Sequence, residues 1–226
     1  MPEIVAERVD LAFGKGDART SALRDVNVTI EPEAFTIVMG PSGSGKTSLL
    51  TVLGALIAPD RGRVAVGGRD LTSMCSERLA AFRRENVGFV FQSFRLMAGL
   101  TAEENVRMSL SMRGALDSKK RALRALAEVG LERKAHLKPD AMSGGEKQRV
   151  AVARALAHDP MILLADEPTA SLDRASGIQV GEMLKAAVHR PGRVLIVVTH
   201  DERLRPFADR VIQMEDGTVV TARTGQ

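Results

Sequence analysis

The chain has 226 residues, of which 44% are hydrophobic and 27% charged, a balance that excludes a disordered tail, a collagen-like repeat and a membrane bundle and suits one large domain with subdomains. The single cysteine, Cys75, allows neither an internal disulfide nor a thiolate metal cluster and is read as a partly buried side chain without chemistry. A net charge of +4 permits contact with nucleic acid or acidic headgroups, yet the absence of Trp and Tyr removes the stacking platform of single-strand binders.

In chain order, the β-branched and apolar runs predict strands over Ile4–Phe13, 26–30 and Phe35–Met39, followed by a helix over 48–58. Further strands are expected at 63–66, 87–91, 161–165, Val194–Val198, 211–214 and 218–221, several of them apolar throughout, as a sheet buried on both faces requires. Between 101 and 158 the spacing turns helical, with Leu123, Leu126 and Val129, then Val150, Ala153 and Leu156. Helices over 176–190 and 201–209 alternate with the last strands, so a mostly parallel sheet is expected. No apolar stretch approaches the length of a bilayer span, and the N-terminus lacks the pattern of a secretory leader, so the chain is expected in the cytosol without direct membrane insertion.

Chemistry concentrates after the third strand. Gly40-Pro41-Ser42-Gly43-Ser44-Gly45-Lys46-Thr47, followed by Ser48 and a helical run, is a phosphate loop between the two elements such a loop requires. Glycines let backbone N–H groups turn onto a phosphate, the helix N-terminus adds its dipole, Lys46 reaches the β- and γ-phosphates and the Thr47 hydroxyl ligates Mg²⁺. The complementary carboxylates stand at the end of 161–165: Asp166 can orient the metal, and Glu167 can polarise the water attacking the γ-phosphorus.

With Met142-Ser143-Gly144-Gly145-Glu146-Lys147-Gln148-Arg149 added, the chain resembles an ATP-binding-cassette (ABC) ATPase subunit over nearly its whole length, departing from the commonest signature at Met142 and Glu146. The resemblance implies a P-loop NTPase (RecA-like) α/β fold. Its mostly parallel sheet is flanked by helices, with an N-terminal antiparallel β subdomain and an α-helical signature subdomain. One domain, 1–226, is expected, divided into an ATP-binding core with the β subdomain (1–92 and 159–226) and a helical subdomain (93–158). It further implies Gln92 as a sensor of Mg²⁺ and water, Asp173 of Ser171-Leu172-Asp173 as the D-loop carboxylate, and His200 as the switch that bonds the γ-phosphate and Glu167. Phe13 stands where an adenine-stacking ring is usual, though it also suits a core position. Catalysis is thus assigned to Glu167, His200, Gln92 and Lys46, and the metal to Thr47, Gln92 and Asp166. Nucleotide contacts are assigned to Phe13, Gly40, Ser42, Gly43, Ser44, Gly45, Lys46, Thr47, Ser48, Gln92 and Asp166, completed by Ser143, Gly144, Gly145, Glu146 and Asp173 of a second copy. His136, His158 and His189 are read as surface or capping residues.

One set of motifs implies a head-to-tail homodimer with ATP and Mg²⁺. Phe91-Gln92-Ser93-Phe94-Arg95-Leu96-Met97 and the stretch from Leu100 to Val106 resemble the macrolide-exporter, lipoprotein-releasing and cell-division subgroup, and the tail from Val198 to Gly217 resembles its DevA-like branch. That subgroup works with a separate transmembrane permease and with periplasmic partners, which implies a peripheral place on the inner face of the cell membrane and no nucleic acid. A soluble, non-transport cassette ATPase acting as a regulator or on nucleic acid is the alternative. Phe94, Leu96 and Met97 are candidate contacts for the permease, with a helical-subdomain core as the competing reading.

Overall fold

A computed structural model describes residues 3–224. The elements run β1 (Ile4–Phe13), β2 (Thr20–Ile30), β3 (Phe35–Met39), α1 (Lys46–Leu53), β4 (Arg61–Val66), β5 (Arg69–Asp70), α2 (Ser76–Asn86), β6 (Val87–Val90), α3 (Ala102–Ser111), α4 (Ser118–Glu128), α5 (Gly144–Leu156), β7 (Ile162–Asp166), α6 (Arg174–Val188), β8 (Val194–Val198), β9 (Arg210–Glu215) and β10 (Thr218–Thr224).

Two sheets result. The first, ordered β2-β1-β4-β5, is antiparallel throughout. The second, ordered β10-β9-β3-β8-β7-β6, is parallel except at its β9–β10 edge. Alternation along its buried strands sorts side chains to two faces. Val38, Ile162, Leu164, Val194, Ile196 and Val198 join α1 and the antiparallel sheet in one core. Phe35, Ile37, Met39, Leu163, Ala165, Leu195 and Val197 face the opposite way, toward Val180 and Leu184 of α6 and Val152 of α5. Chains this apolar on both faces suit only a covered central sheet. A third core, with Val106, Leu110, Leu126 and Val150, holds α3, α4 and α5 together as a helical unit that α5 joins to the sheet through Val152 and Ala155. Because β3, β6, β7 and β8 run parallel, their carboxyl ends gather the loops carrying Lys46, Gln92, Glu167 and His200 at one edge of the sheet.

Several expectations need correction. Helix α1 stops at Leu53 and not at 58, because Gly54 caps it and Ala55 turns left-handed with φ of 55°. Segment 201–209 is a 3₁₀ helix, Glu202–Phe207, with Pro206 inside it. Helix α2 was not anticipated; it buries only Phe82, so it has no apolar period to read. Cys75 is exposed. Among the described residues no helix is long and apolar enough to cross a membrane.

His158 also departs from its surface reading. It lies just past α5 with both ring nitrogens buried and unpartnered, and burial first, then the Arg113 and Arg121 charges, push its pKa down to about 3. The folded protein therefore refuses a proton that the unfolded chain accepts near its ordinary value. The resulting stability is fully present above the unfolded pKa and is lost as pH falls from there toward 3. At about 1.4 kcal/mol per unit, lowering the pH from 7 to 5 is expected to remove about 2 kcal/mol through this residue. Urea melts at the two pH values check this: His158→Leu should flatten the difference, and an unchanged slope would remove His158 as its source.

Candidate functional site: a phosphate loop facing a carboxylate and a histidine

The loop from Gly40 to Gly45 joins the carboxyl end of β3 to the first turn of α1. Gly45 caps the helix with φ of 94°, and a Cβ there would stand 2.4 Å from the Ala22 carbonyl oxygen, so only glycine allows this approach to β2. Gly43 has φ of 81° and open space where a Cβ would point. With the free N–H groups of the first turn of α1, that leaves a cradle of anion size and polarity. Lys46 is 8% exposed and bends back over the loop, its Nζ donating to the Gly40 and Pro41 carbonyls at 2.8 and 2.7 Å. Burial pulls its pKa down, while the charges of Glu167 and Asp166 oppose that shift.

Across the cleft, β7 and β8 deliver the carboxylates and their partners. Asp166 accepts from the Thr47 hydroxyl at 3.0 Å, and burial raises its pKa despite that bond. Glu167 sits in the left-handed region with φ of 47°, uncommon for a non-glycine and characteristic of functional turns. Its N–H donates to the Val198 carbonyl at 2.8 Å. Its carboxylate accepts from the Thr199 hydroxyl at 3.1 Å, and His200 Nδ1 lies 2.7 Å from Oε1. The histidine ring is largely exposed and the carboxylate largely buried, so the pair presents one solvent-facing and one enclosed partner to the cleft.

The cleft encloses about 670 Å³ and is lined by Phe13, Ser42, Gly43, Lys46, Gln92, Glu167 and His200, with Gly40, Pro41, Gly45, Thr47 and Ser48. Phe13 is 47% exposed at its rim. Thr20, Ser21 and Ala22 also line it, which the sequence did not signal, because β2 begins earlier than its apolar run. Two expected members stand back. Ser44 is buried beneath the loop with an unpartnered hydroxyl, and Asp166 is reached through Thr47.

The signature residues do not line this cleft. Ser143 caps α5 in a capping box: its hydroxyl accepts from the Glu146 N–H at 3.2 Å, and the Glu146 carboxylate accepts from the Ser143 N–H at 3.0 Å and from Lys134 at 2.5 Å. Glu146 thus holds Ser143 in place, and because the hydroxyl serves as acceptor here its proton stays free for an outside oxygen. Gly145 lies against Ser176, and Gly144 near Ser171 and Leu172. Asp173 caps α6, accepting from the Ser176 N–H at 3.0 Å and the Ser176 hydroxyl at 2.7 Å. The signature and D-loop residues thus form a second surface of the same chain.

Downstream of Gln92, Phe94 and Arg95 both have positive φ, and Arg154 of α5 donates to their two carbonyls. Leu96 packs on the helical core and Phe94 is half-buried, so of the three apolar candidates for a docking surface only Met97, 49% exposed, is open.

Comparison with known proteins follows the same lines. The family model for ABC transporters matches residues 23–170. An uncharacterised ABC transporter ATP-binding protein of Methanocaldococcus jannaschii is 44% identical over 96% of this chain and 97% of its own length. The macrolide export ATP-binding/permease protein MacB of Hyphomonas neptunium is 41% identical over 97% of this chain, which spans only 34% of that protein. Among solved structures, a dimeric ATP-binding cassette in a post-hydrolysis state, bound to ADP and Pi, superimposes with a TM-score of 0.91 at 39% identity, covering 99% of both chains.

Proposed function

From the premise that this chain belongs to the ABC transporter family, we propose that it binds and hydrolyses Mg·ATP as a head-to-tail homodimer and so drives a separate transmembrane permease. The observation that carries this reading is the convergence of Lys46, Thr47, Gln92, Glu167 and His200 on one cleft, with Ser143 on another surface of the chain. The Gly43 cradle and the N-terminus of α1 suit phosphates, and the Thr47–Asp166 pair supplies hard oxygen donors for a divalent cation, with Gln92 nearby. Mg²⁺ held by these oxygens would neutralise charge on the phosphates. Lys46 exchanges its loop carbonyls for phosphate oxygens, and Phe13 stacks on the adenine. Glu167, fixed by Thr199, accepts the proton of the attacking water while His200 bonds the γ-phosphate. Ser143, Gly144 and Gly145 of the second copy, positioned by Glu146, close over that phosphate beside Asp173.

The division into core (1–92 and 159–226) and helical subdomain (93–158) fits this scheme, since the signature helix packs with α3 and α4 in the third core while the phosphate loop belongs to β3 and α1. Similarity to a macrolide export ATP-binding/permease protein supports an export role, and the subgroup that the sequence motifs resemble supports a force-transmitting alternative at the inner face of the membrane, a periplasmic adaptor as a further partner and, through the tail motif, the DevA-like branch. The reading is tested by phosphate release from Mg·ATP over a dilution series of the purified chain. Specific activity should rise with protein concentration, as a site shared between copies requires; activity that is absent, or independent of concentration, would overturn it.

A further inference from the structure

Behind the cleft lies an ion pair that the scheme above does not use. Asp201 and Arg203, whose side chains are 10% and 29% exposed, pair at 2.7 Å just beyond His200. Arg203 Nε donates to both Asp201 oxygens, at 2.9 and 3.0 Å. The rest of the guanidinium reaches the D-loop and the turn before it, with donations to the carbonyls of Thr169 at 3.1 Å, Leu172 at 3.3 Å and Asp173 at 3.0 Å. All three nitrogens of the guanidinium are thereby engaged, in two directions at once, which the point charge of lysine cannot reproduce. Helix α6 makes room for it: a Cβ on Gly177 would stand 2.9 Å from the guanidinium.

The network continues toward the cleft. The Asp201 N–H donates to the Thr199 hydroxyl at 3.0 Å, and that hydroxyl's only proton goes to Glu167 at 3.1 Å. Asp201 also accepts from the fully buried Thr169 hydroxyl and from the Arg203 N–H at 3.0 Å. A continuous, partly buried path therefore joins the carboxylate assigned as general base to the backbone of the D-loop, the segment beside the surface that meets the second copy.

We propose that Arg203 is a positioning residue that locks the D-loop to the Glu167–His200 pair, so that closure of the second copy against the D-loop sets the orientation of Glu167. The inference rests on the head-to-tail ATPase reading and names how the two copies are coupled within it. Hydrolysis at one site then depends on the geometry of the interface as well as on occupancy of the cleft.

The test uses the full chain with Arg203→Lys, which keeps the charge opposite Asp201 and loses the fork, alongside Thr199→Ser and Thr199→Val. Arg203→Lys is expected to keep the melting temperature and the affinity for Mg·ATP, to lower kcat about tenfold, and to reduce the Hill coefficient for ATP to one. Thr199→Val, which removes the hydroxyl, should lower kcat in the same way, and Thr199→Ser, which restores a hydroxyl, should recover part of that loss. Wild-type kcat and cooperativity in Arg203→Lys would overturn the proposal, as would a fall in kcat matched by equal losses of affinity and melting temperature, the mark of a merely structural residue. Failure of the wild-type chain to turn over Mg·ATP would instead overturn the ATPase reading, and the proposal with it.

Discussion

Replacing Glu167 with Gln is expected to lower phosphate release at least about a hundredfold while Mg·ATP binding persists. The amide keeps the size of the side chain and can still accept from the Thr199 hydroxyl, which lies 3.1 Å from the carboxylate, so the cleft keeps its shape. What it loses is the capacity to take a proton from water. Binding without turnover leaves the nucleotide holding the two surfaces together, so the variant should elute as a dimer in Mg·ATP and as a monomer without it. Size-exclusion chromatography with single-turnover phosphate release reads both effects. A variant that stays monomeric in Mg·ATP while wild type turns over would sink the assignment of Glu167 as the base.

The second large effect concerns residues that never meet within one chain. Lys46 lines the cleft, whereas Ser143 caps α5 on the other surface. Lys46→Ala removes the cation that faces the phosphates, and Ser143→Arg puts bulk where the second copy must close, so each variant alone should lose essentially all ATPase activity. Mixing them concentrates both lesions in one of the two composite sites of a mixed pair and leaves the other intact. If one site suffices, activity should recover to about a quarter of wild type, since half the pairs are mixed and each carries one working site. Cysteines placed at Ser42 and Ser143, in a chain whose exposed Cys75 has been replaced, give the geometric counterpart. They should form a disulfide between copies in Mg·ATP, and bridging only within a copy would exclude the head-to-tail arrangement.

What could be read from the sequence follows from how locally each feature is encoded. Strands Phe35–Met39 and Val194–Val198 coincide with their apolar runs because strands covered on both faces need continuous hydrophobicity, whereas Ile4–Phe13 buries Ile4, Ala6, Val9 and Leu11 and leaves Glu7 and Arg8 exposed. Helix α2 stayed hidden because it covers one edge with Phe82 and turns charged residues to solvent. The apolar stretch after Gly54 suggested a longer α1, although the backbone turns left-handed at Ala55. Within the candidate site, the phosphate loop and the Asp166-Glu167 pair were legible because each occupies consecutive positions. Thr20, Ser21 and Ala22 reach the cleft only through the pairing of β2 with β1, and Arg203 meets the D-loop only after folding brings distant segments together. Leu96 stayed open between a docking contact and a core position for a related reason: a lone apolar side chain in a loop looks the same whether it meets solvent or a core.

The placement of the cleft and the signature cap on separate surfaces of one chain also has a genetic consequence. A cell carrying equal amounts of the normal chain and the Glu167→Gln chain would assemble only about a quarter of its pairs from two normal copies. Every other pair would contain a copy that grips its neighbour and does not let go. Such an allele should act dominantly over the normal one, whereas an allele unable to fold, which never enters a pair, should be recessive.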